Sequence, residues 1–180
     1  MILTHQDLDH IGSLAEVVRV SGAEVLAHAE DAPYIEGRLP LIKLPPPEQR
    51  EAMLAKMLPQ ARAIFSQPLA PVKVDRILED RERLELGGGV RVVFTPGHTP
   101  GHISLYLERS RALISGDALV SHKGHLEGPR ERATPDMVEA HTSVVKLAKL
   151  GVGAILTYHG GVVVDGGAQL KELAKELAAG

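Results

Sequence analysis

Apolar residues along this chain fall into short runs whose spacing alternates between that of strands and that of helices. Ile2 and Leu3 read as the tail of a strand. Leu14, Val17 and Val18 then recur at helical spacing within LAEVVRV, with Ser13 placed as the N-cap and Ser21-Gly22 as the stop. AEVLAH, residues 23–28, follows as a short strand. Residues 29–47 show no period and close on Pro45, Pro46 and Pro47, so an irregular segment is expected there. Leu54, Met57, Leu58, Ala61, Ile64 and Phe65 describe an amphipathic helix over 48–65, kinked at Pro59, that either packs on the core or lids a site.

From Val72 onward the pattern becomes that of strands. It is weak over 72–78, broken by a turn at Gly87, Gly88 and Gly89, and clear at VRVVFT (90–95) and ISLYLE (103–108). A turn at 109–111 leads into ALIS (112–115), and residues 121–133 form an expected loop rich in glycine, histidine and charge. Thr134 is placed as the cap of a long helix, with Pro135 in its first turn and apolar positions at Met137, Val144, Val145, Leu147 and Ala148. AILTY (154–158) is the last expected strand and 168–179 the last helix. Strands and helices interleave throughout without repeats or a linker, so the expectation is a single α/β domain over residues 1–180.

Composition narrows the chemistry. A net charge of −3 gives no electrostatic case for nucleic acid or an anionic membrane, and 3% aromatics without tryptophan gives no stacking platform. There are no cysteines, which removes disulfides, thiolate metal sites and cysteine nucleophiles together. No apolar run approaches the roughly 20 residues of a membrane span. The first ten residues, MILTHQDLDH, lack the basic region and cleavage site of a signal peptide, so the cytoplasm is the expected location.

The histidines and aspartates are placed less evenly. His5, Asp7, Asp9 and His10 crowd into six residues, His98 and His102 lie in TPGHTPGH, Asp117 in SGDAL and His159 in TYHGG. Each group follows an expected strand, and strand ends on one sheet edge converge in space. Imidazole and carboxylate are the donors that hold zinc, iron or manganese where thiolates are absent. A lone histidine at a strand end is commonly a satisfied polar residue, but four strand ends bearing His or Asp point to a metal centre.

HQDLDH, TPGHTPGH, SGDAL and YHGG, in this order, resemble the metallo-β-lactamase superfamily, and the likeness runs through essentially the whole chain. The resemblance implies an αββα sandwich with a one- or two-metal site at one edge. By position, His5 and His98 would belong to a first metal, Asp9, His10 and His159 to a second, and Asp117 would bridge them. His102 corresponds to a histidine that supports the site and is not counted as a ligand. Two divalent ions, zinc first and manganese or iron as alternatives, would generate a hydroxide that attacks the carbonyl of a small ester, thioester or lactone, with Asp9 orienting the nucleophile or carrying its proton. Hydroxyacylglutathione-hydrolase- and lactonase-like members are the expected kin, with a small-molecule substrate and neither nucleic acid nor membrane as partner. Tyr158 is placed either as packing or as an oxyanion donor. His122 and His125 are placed either on the surface or at the pocket.

Two departures from the family pattern shape the expectation. Its HxHxDH opening carries Asp7 where a middle histidine is usual, which adds a negative charge, makes Asp7 a candidate ligand and favours manganese or iron more than three histidines would. Flavin-linked di-iron oxidoreductases of the superfamily share that carboxylate, but 180 residues leave no room for their flavodoxin-like domain. The motif also begins at residue 5, where family members have several strands before it. The expected fold is therefore an N-terminally truncated sandwich whose first strand has an unpaired edge, with a homo-oligomer as one source of the strands; the alternative functions are a non-catalytic or impaired remnant and an iron-dependent oxidoreductase on the same fold.

Overall fold

The structure is a computed structural model that describes residues 1–60, 62, 66 and 69–179. Four layers stack in the order helix, sheet, sheet, helix. The larger sheet has six strands: β3 (Arg83–Leu84), β4 (Val90–Phe94), β5 (Ile103–Leu107), β6 (Ala112–Gly116), β9 (Ala154–Thr157) and β10 (Gly161–Val163). They lie in the order β10-β9-β6-β5-β4-β3, antiparallel except for the β6–β9 pair. The smaller sheet pairs β1 (Leu26–His28) in parallel with β2 (Arg76–Leu78), and Ile2 extends it by a parallel bridge to Leu26. A hairpin of β7 (Val120–His122) and β8 (His125–Glu127) forms a separate two-stranded sheet, with Leu126 packed against the core.

The alternation of strand side chains builds two of the three cores. Val93, Leu113 and Ile155 point to one face and pack with Val144 and Leu147 of α5 (Met137–Leu147) and Leu170 of α6 (Gly166–Ala179). Their neighbours Val92, Ile103 and Leu105 face the opposite way, onto Leu26 and Leu78 of the small sheet. Beyond the small sheet, Leu3, Val25, Ala27 and Val74 pack against α1 (Leu8–Ile11), α2 (Leu14–Ser21) and α3 (Ala32–Ile35) through Ile11, Leu14, Ala32 and Ile35. Gly22 ends α2 in the left-handed conformation at φ 64°, as its Ser-Gly stop indicates.

Several expectations are corrected. The segment 29–47 contains α3, which opens on Asp31 with Pro33 in its first turn. Within the helix expected over 48–65, α4 (Pro47–Ala55) ends at Lys56, its C-cap, and the chain turns before Pro59, where helix begins again instead of the first helix kinking. Ala61, Ile64 and Phe65, on which the longer helix rested, lie outside the described residues. Thr134 does not cap α5. The cap is Asp136, whose Oδ1 accepts the Glu139 N–H at 2.9 Å. Residues 121–133, expected as loop, carry β8 and a short 3₁₀ turn at Glu131–Ala133.

Candidate metal centre

All seven candidate ligands converge at the ends of Ile2-Leu3, β4, β6 and β9. One donor atom each from His5, Asp7, His98 and Asp117 lie within 4.8 Å of one another, and so do donors from Asp9, His10 and His159. Asp117 joins the groups. Its Oδ2 is 3.4 Å from His98 Nε2 and 3.3 Å from His159 Nε2, while Oδ1 is 3.2 Å from His10 Nε2. Asp7 Oδ2 lies 3.0 Å from His98 Nε2 and 3.5 Å from His5 Nε2, and Asp9 Oδ2 lies 3.3 Å from His159 Nε2.

Three buried atoms in this cluster, His5 Nε2, His10 Nε2 and Asp117 Oδ1, have no hydrogen-bond partner. The 3.2 Å approach of His10 Nε2 to Asp117 Oδ1 brings the two atoms close without hydrogen-bond geometry. Leaving a buried polar atom unsatisfied costs roughly 1–3 kcal/mol, so three of them aimed at one small volume fit a cation that takes their lone pairs. Nitrogen and carboxylate oxygen in this mixture suit zinc, manganese or iron.

The opposite ring edges are held by hydroxyls. Thr4 Oγ1 lies 3.0 Å from His5 Nδ1 and 3.5 Å from His10 Nδ1, and Thr134 Oγ1 lies 3.5 Å from His98 Nδ1. Such contacts turn the Nε2 edges inward and fix the tautomer. Burial lowers the His5 pKa below the ordinary histidine value, keeping the ring neutral as a ligand must be. Burial pushes the Asp7 carboxyl upward, yet the His5 and His98 contacts together with the Lys43 ammonium outweigh it and hold the group well below the usual carboxylate range.

His102 is fully buried and uses both ring nitrogens elsewhere. Its Nε2 accepts the Asp117 backbone N–H at 3.0 Å, so Nδ1 carries the proton toward Thr95 Oγ1 at 2.8 Å. It therefore positions the Asp117 backbone, in keeping with its exclusion from the ligand set. The Tyr158 hydroxyl donates to the Asp9 carbonyl at 2.8 Å and its ring lies 3.8 Å from that of His10, so its proton is committed to the loop rather than free for an oxyanion. His122 and His125 face each other across the exposed β7–β8 hairpin.

Three contributors escaped the sequence reading. Asp31, 1% exposed, accepts from the Gln6 backbone N–H at 2.9 Å, Thr99 Oγ1 at 2.7 Å and the Gly101 N–H at 2.8 Å. It thereby ties the HQDLDH loop to the TPGHTPGH loop. Gln6, itself fully buried, accepts the Ile42 N–H at 3.1 Å and anchors the segment that carries Lys43. The Lys43 ammonium reaches Asp7 Oδ2 and His98 Nε2, each at 2.6 Å. Asp31 lies in no motif, and only Gly101 hinted at it: a Cβ there would strike the Asp31 backbone and side chain. Gly116 has a similar role, with φ 54° and a Cβ position 2.6 Å from His102 Nε2.

A hollow of about 930 Å³ begins at Lys43 and is lined by Ile42, Leu44, Pro45, Met53 and Met57. A larger groove of about 1090 Å³ runs between α5 and α6 and contains none of the candidate ligands. Among the described residues, no helix is long and apolar enough to cross a membrane.

The comparisons agree with this geometry. The profile of the metallo-beta-lactamase superfamily matches residues 1–159. The probable metallo-hydrolase YflN of Bacillus subtilis is 34% identical over 179 residues, covering 89% of this chain, and this chain spans 63% of YflN's length. A hydroxyacylglutathione hydrolase of Rhodospirillum rubrum is 28% identical over 119 residues, covering 66% of this chain and 32% of that protein. Among solved structures, TTHA1623 in a di-iron-bound form superposes with a TM-score of 0.65 at 26% identity, over 92% of this chain and 71% of the other. With the family profile over most of its length, the αββα layers and the His/Asp cluster at the strand ends, the chain belongs to the metallo-β-lactamase superfamily.

Proposed function

We propose that this chain carries the metal centre of a hydrolase that cleaves an ester, thioester or lactone bond in a small molecule. The observation that supports it best is the pair of donor groups sharing Asp117, with three buried donor atoms otherwise unsatisfied. Two divalent cations held there would supply Lewis acidity, lowering the pKa of a coordinated water toward neutrality and polarising a carbonyl. His5, Asp7 and His98 would hold one cation, Asp9, His10 and His159 the other, and Asp117 both.

The chain's own groups do the rest. Asp9, half-exposed, would orient the nucleophile and accept its proton, while the Tyr158 hydroxyl holds the Asp9 carbonyl. His102 holds the Asp117 backbone in place. The hollow lined by Leu44, Pro45, Met53 and Met57 would receive an apolar acyl or lactone portion beside the reacting carbonyl. The names of YflN and of the Rhodospirillum rubrum enzyme favour hydrolysis. An iron centre with redox chemistry is the second reading, favoured by the Asp7 carboxylate and by the di-iron form of TTHA1623.

Elemental analysis of protein purified without added metal, followed by assays on acyl thioesters, aryl esters and lactones, tests this reading. Up to two equivalents of metal are expected, with hydrolysis lost to chelator and restored by the metal. Asp117→Ala and His98→Ala should each lose most of the bound metal; full stoichiometry in both variants would refute the ligand assignment. Hydrolysis indifferent to chelator would refute the mechanism.

A further inference from the structure

Lys43 contacts the cluster at an unusual point. Its Nζ lies 2.6 Å from Asp7 Oδ2 and 2.6 Å from His98 Nε2. An ammonium can only donate, so beside Lys43 His98 Nε2 acts as an acceptor, and the ammonium bridges it to Asp7 Oδ2, 3.0 Å away, through the lone pair a metal would take. A metal held by Asp7 and His98 would use the same two donor atoms. The ammonium and the metal therefore compete for them.

The placement is built in. Leu41 is buried in the core beneath α3, and the Ile42 N–H is bound by Gln6, a fully buried residue of the ligand loop. These anchors deliver the next side chain, Lys43, into the first group, where its side chain is only 23% exposed. The charges match as well. Asp7 adds a carboxylate to the first group, and Lys43 supplies the compensating positive charge. Among the described residues, no lysine or arginine forms an ion pair with Asp9 in the second group, whose contact is His159.

We propose that Lys43 is an internal occupant of the first metal position, so that the centre loads in order. Asp9, His10, His159 and Asp117 take the first equivalent. His5, Asp7 and His98 take the second, and only as the Lys43 ammonium withdraws toward the hollow beside α4. The inference rests on the proposed metal centre, and it makes this chain a one-metal protein when metal is scarce and a two-metal protein when it is abundant.

Metal-free full chain, its Lys43→Met and Lys43→Gln variants, and Zn2+ or Mn2+ titrated against a chromophoric chelator provide the test, with circular dichroism confirming that each variant is folded. In the wild type the second equivalent should bind at least about tenfold more weakly than the first. Both substitutions should tighten the second equivalent by about tenfold, near 1.4 kcal/mol, and leave the first within about twofold. A separate readout is reductive methylation of lysines followed by peptide mass spectrometry. Lys43 should be protected in metal-free and one-metal protein and become labelled as the second equivalent enters. Identical titrations in wild type and both variants, or Lys43 labelling indifferent to metal, would overturn the inference while leaving the metal centre standing. A wild type that binds no metal would overturn the centre itself.

Discussion

Asp117 illustrates how much one side chain can depend on a buried neighbour. Its two oxygens serve both donor groups, yet its backbone is fixed by His102, a ring with no exposure and no free nitrogen. Replacing His102 by Ala should reduce stability by roughly 1–3 kcal/mol through the unsatisfied Asp117 N–H and weaken metal binding by about 10–100-fold, while metal still binds. Urea unfolding and a chelator titration would measure both. Burial holds His102 well below the ordinary histidine pKa, and burial likewise lowers His5. A histidine depressed in the folded state contributes stability that is present above its unfolded value near 6.5 and lost as pH falls below it. Metal-free protein should therefore lose stability progressively as pH falls below about 6.5. His102→Asn should flatten that slope in urea midpoints taken across the range. The lowered carboxyl of Asp7 acts only below the unfolded carboxylate range near pH 4, outside this window.

At the scale of elements, the site is a set of loops, and loops need fastening. Asp31 opens α3 without using its side chain as a cap; the carboxylate instead holds Gln6 of one ligand loop and Thr99 and Gly101 of another. Asp31→Ala should loosen both loops together, lowering metal affinity by about 10–100-fold although no candidate ligand is touched. Wild-type affinity in that variant would show that the loops hold their geometry without it. The same scale explains the misplaced helix boundaries. Thr134 and Asp136 both have capping side chains, and only the packed structure shows that Thr134 is committed to His98 and Asp136 to Glu139. Pro59 likewise breaks a helix or begins one according to where the chain turns.

For the whole molecule, the His/Asp cluster adds a junction between layers that also meet through apolar contact and through the hydrogen bonds of Asp31 and Tyr158. His5 to His10 belong with the small sheet and its helices, whereas His98, Asp117 and His159 follow strands of the large sheet. A cation held by both sets cross-links the two halves. Its binding free energy then appears as stability, about 2.7 kcal/mol when free metal is a hundredfold above the dissociation constant. For a chain of this size that corresponds to roughly 5–10 °C in Tm. Calorimetry with and without chelator should show this difference, and an unchanged Tm would place the metal, if bound, outside the junction.

The sequence by itself determined the alternation of strands and helices, because apolar periodicity is a local property of the chain; the αββα layers and the set of residues that converge followed from the resemblance of its spaced His and Asp motifs to the metallo-β-lactamase superfamily. It also marked Asp7 as a carboxylate in a position where histidine is usual. Only the tertiary structure decided that Asp31 fastens two ligand loops and that Lys43 stands against Asp7 and His98, separated from them by 36 and 55 positions along the chain. An isolated aspartate and an isolated lysine carry no spacing signal, and their partners are set by how the layers pack.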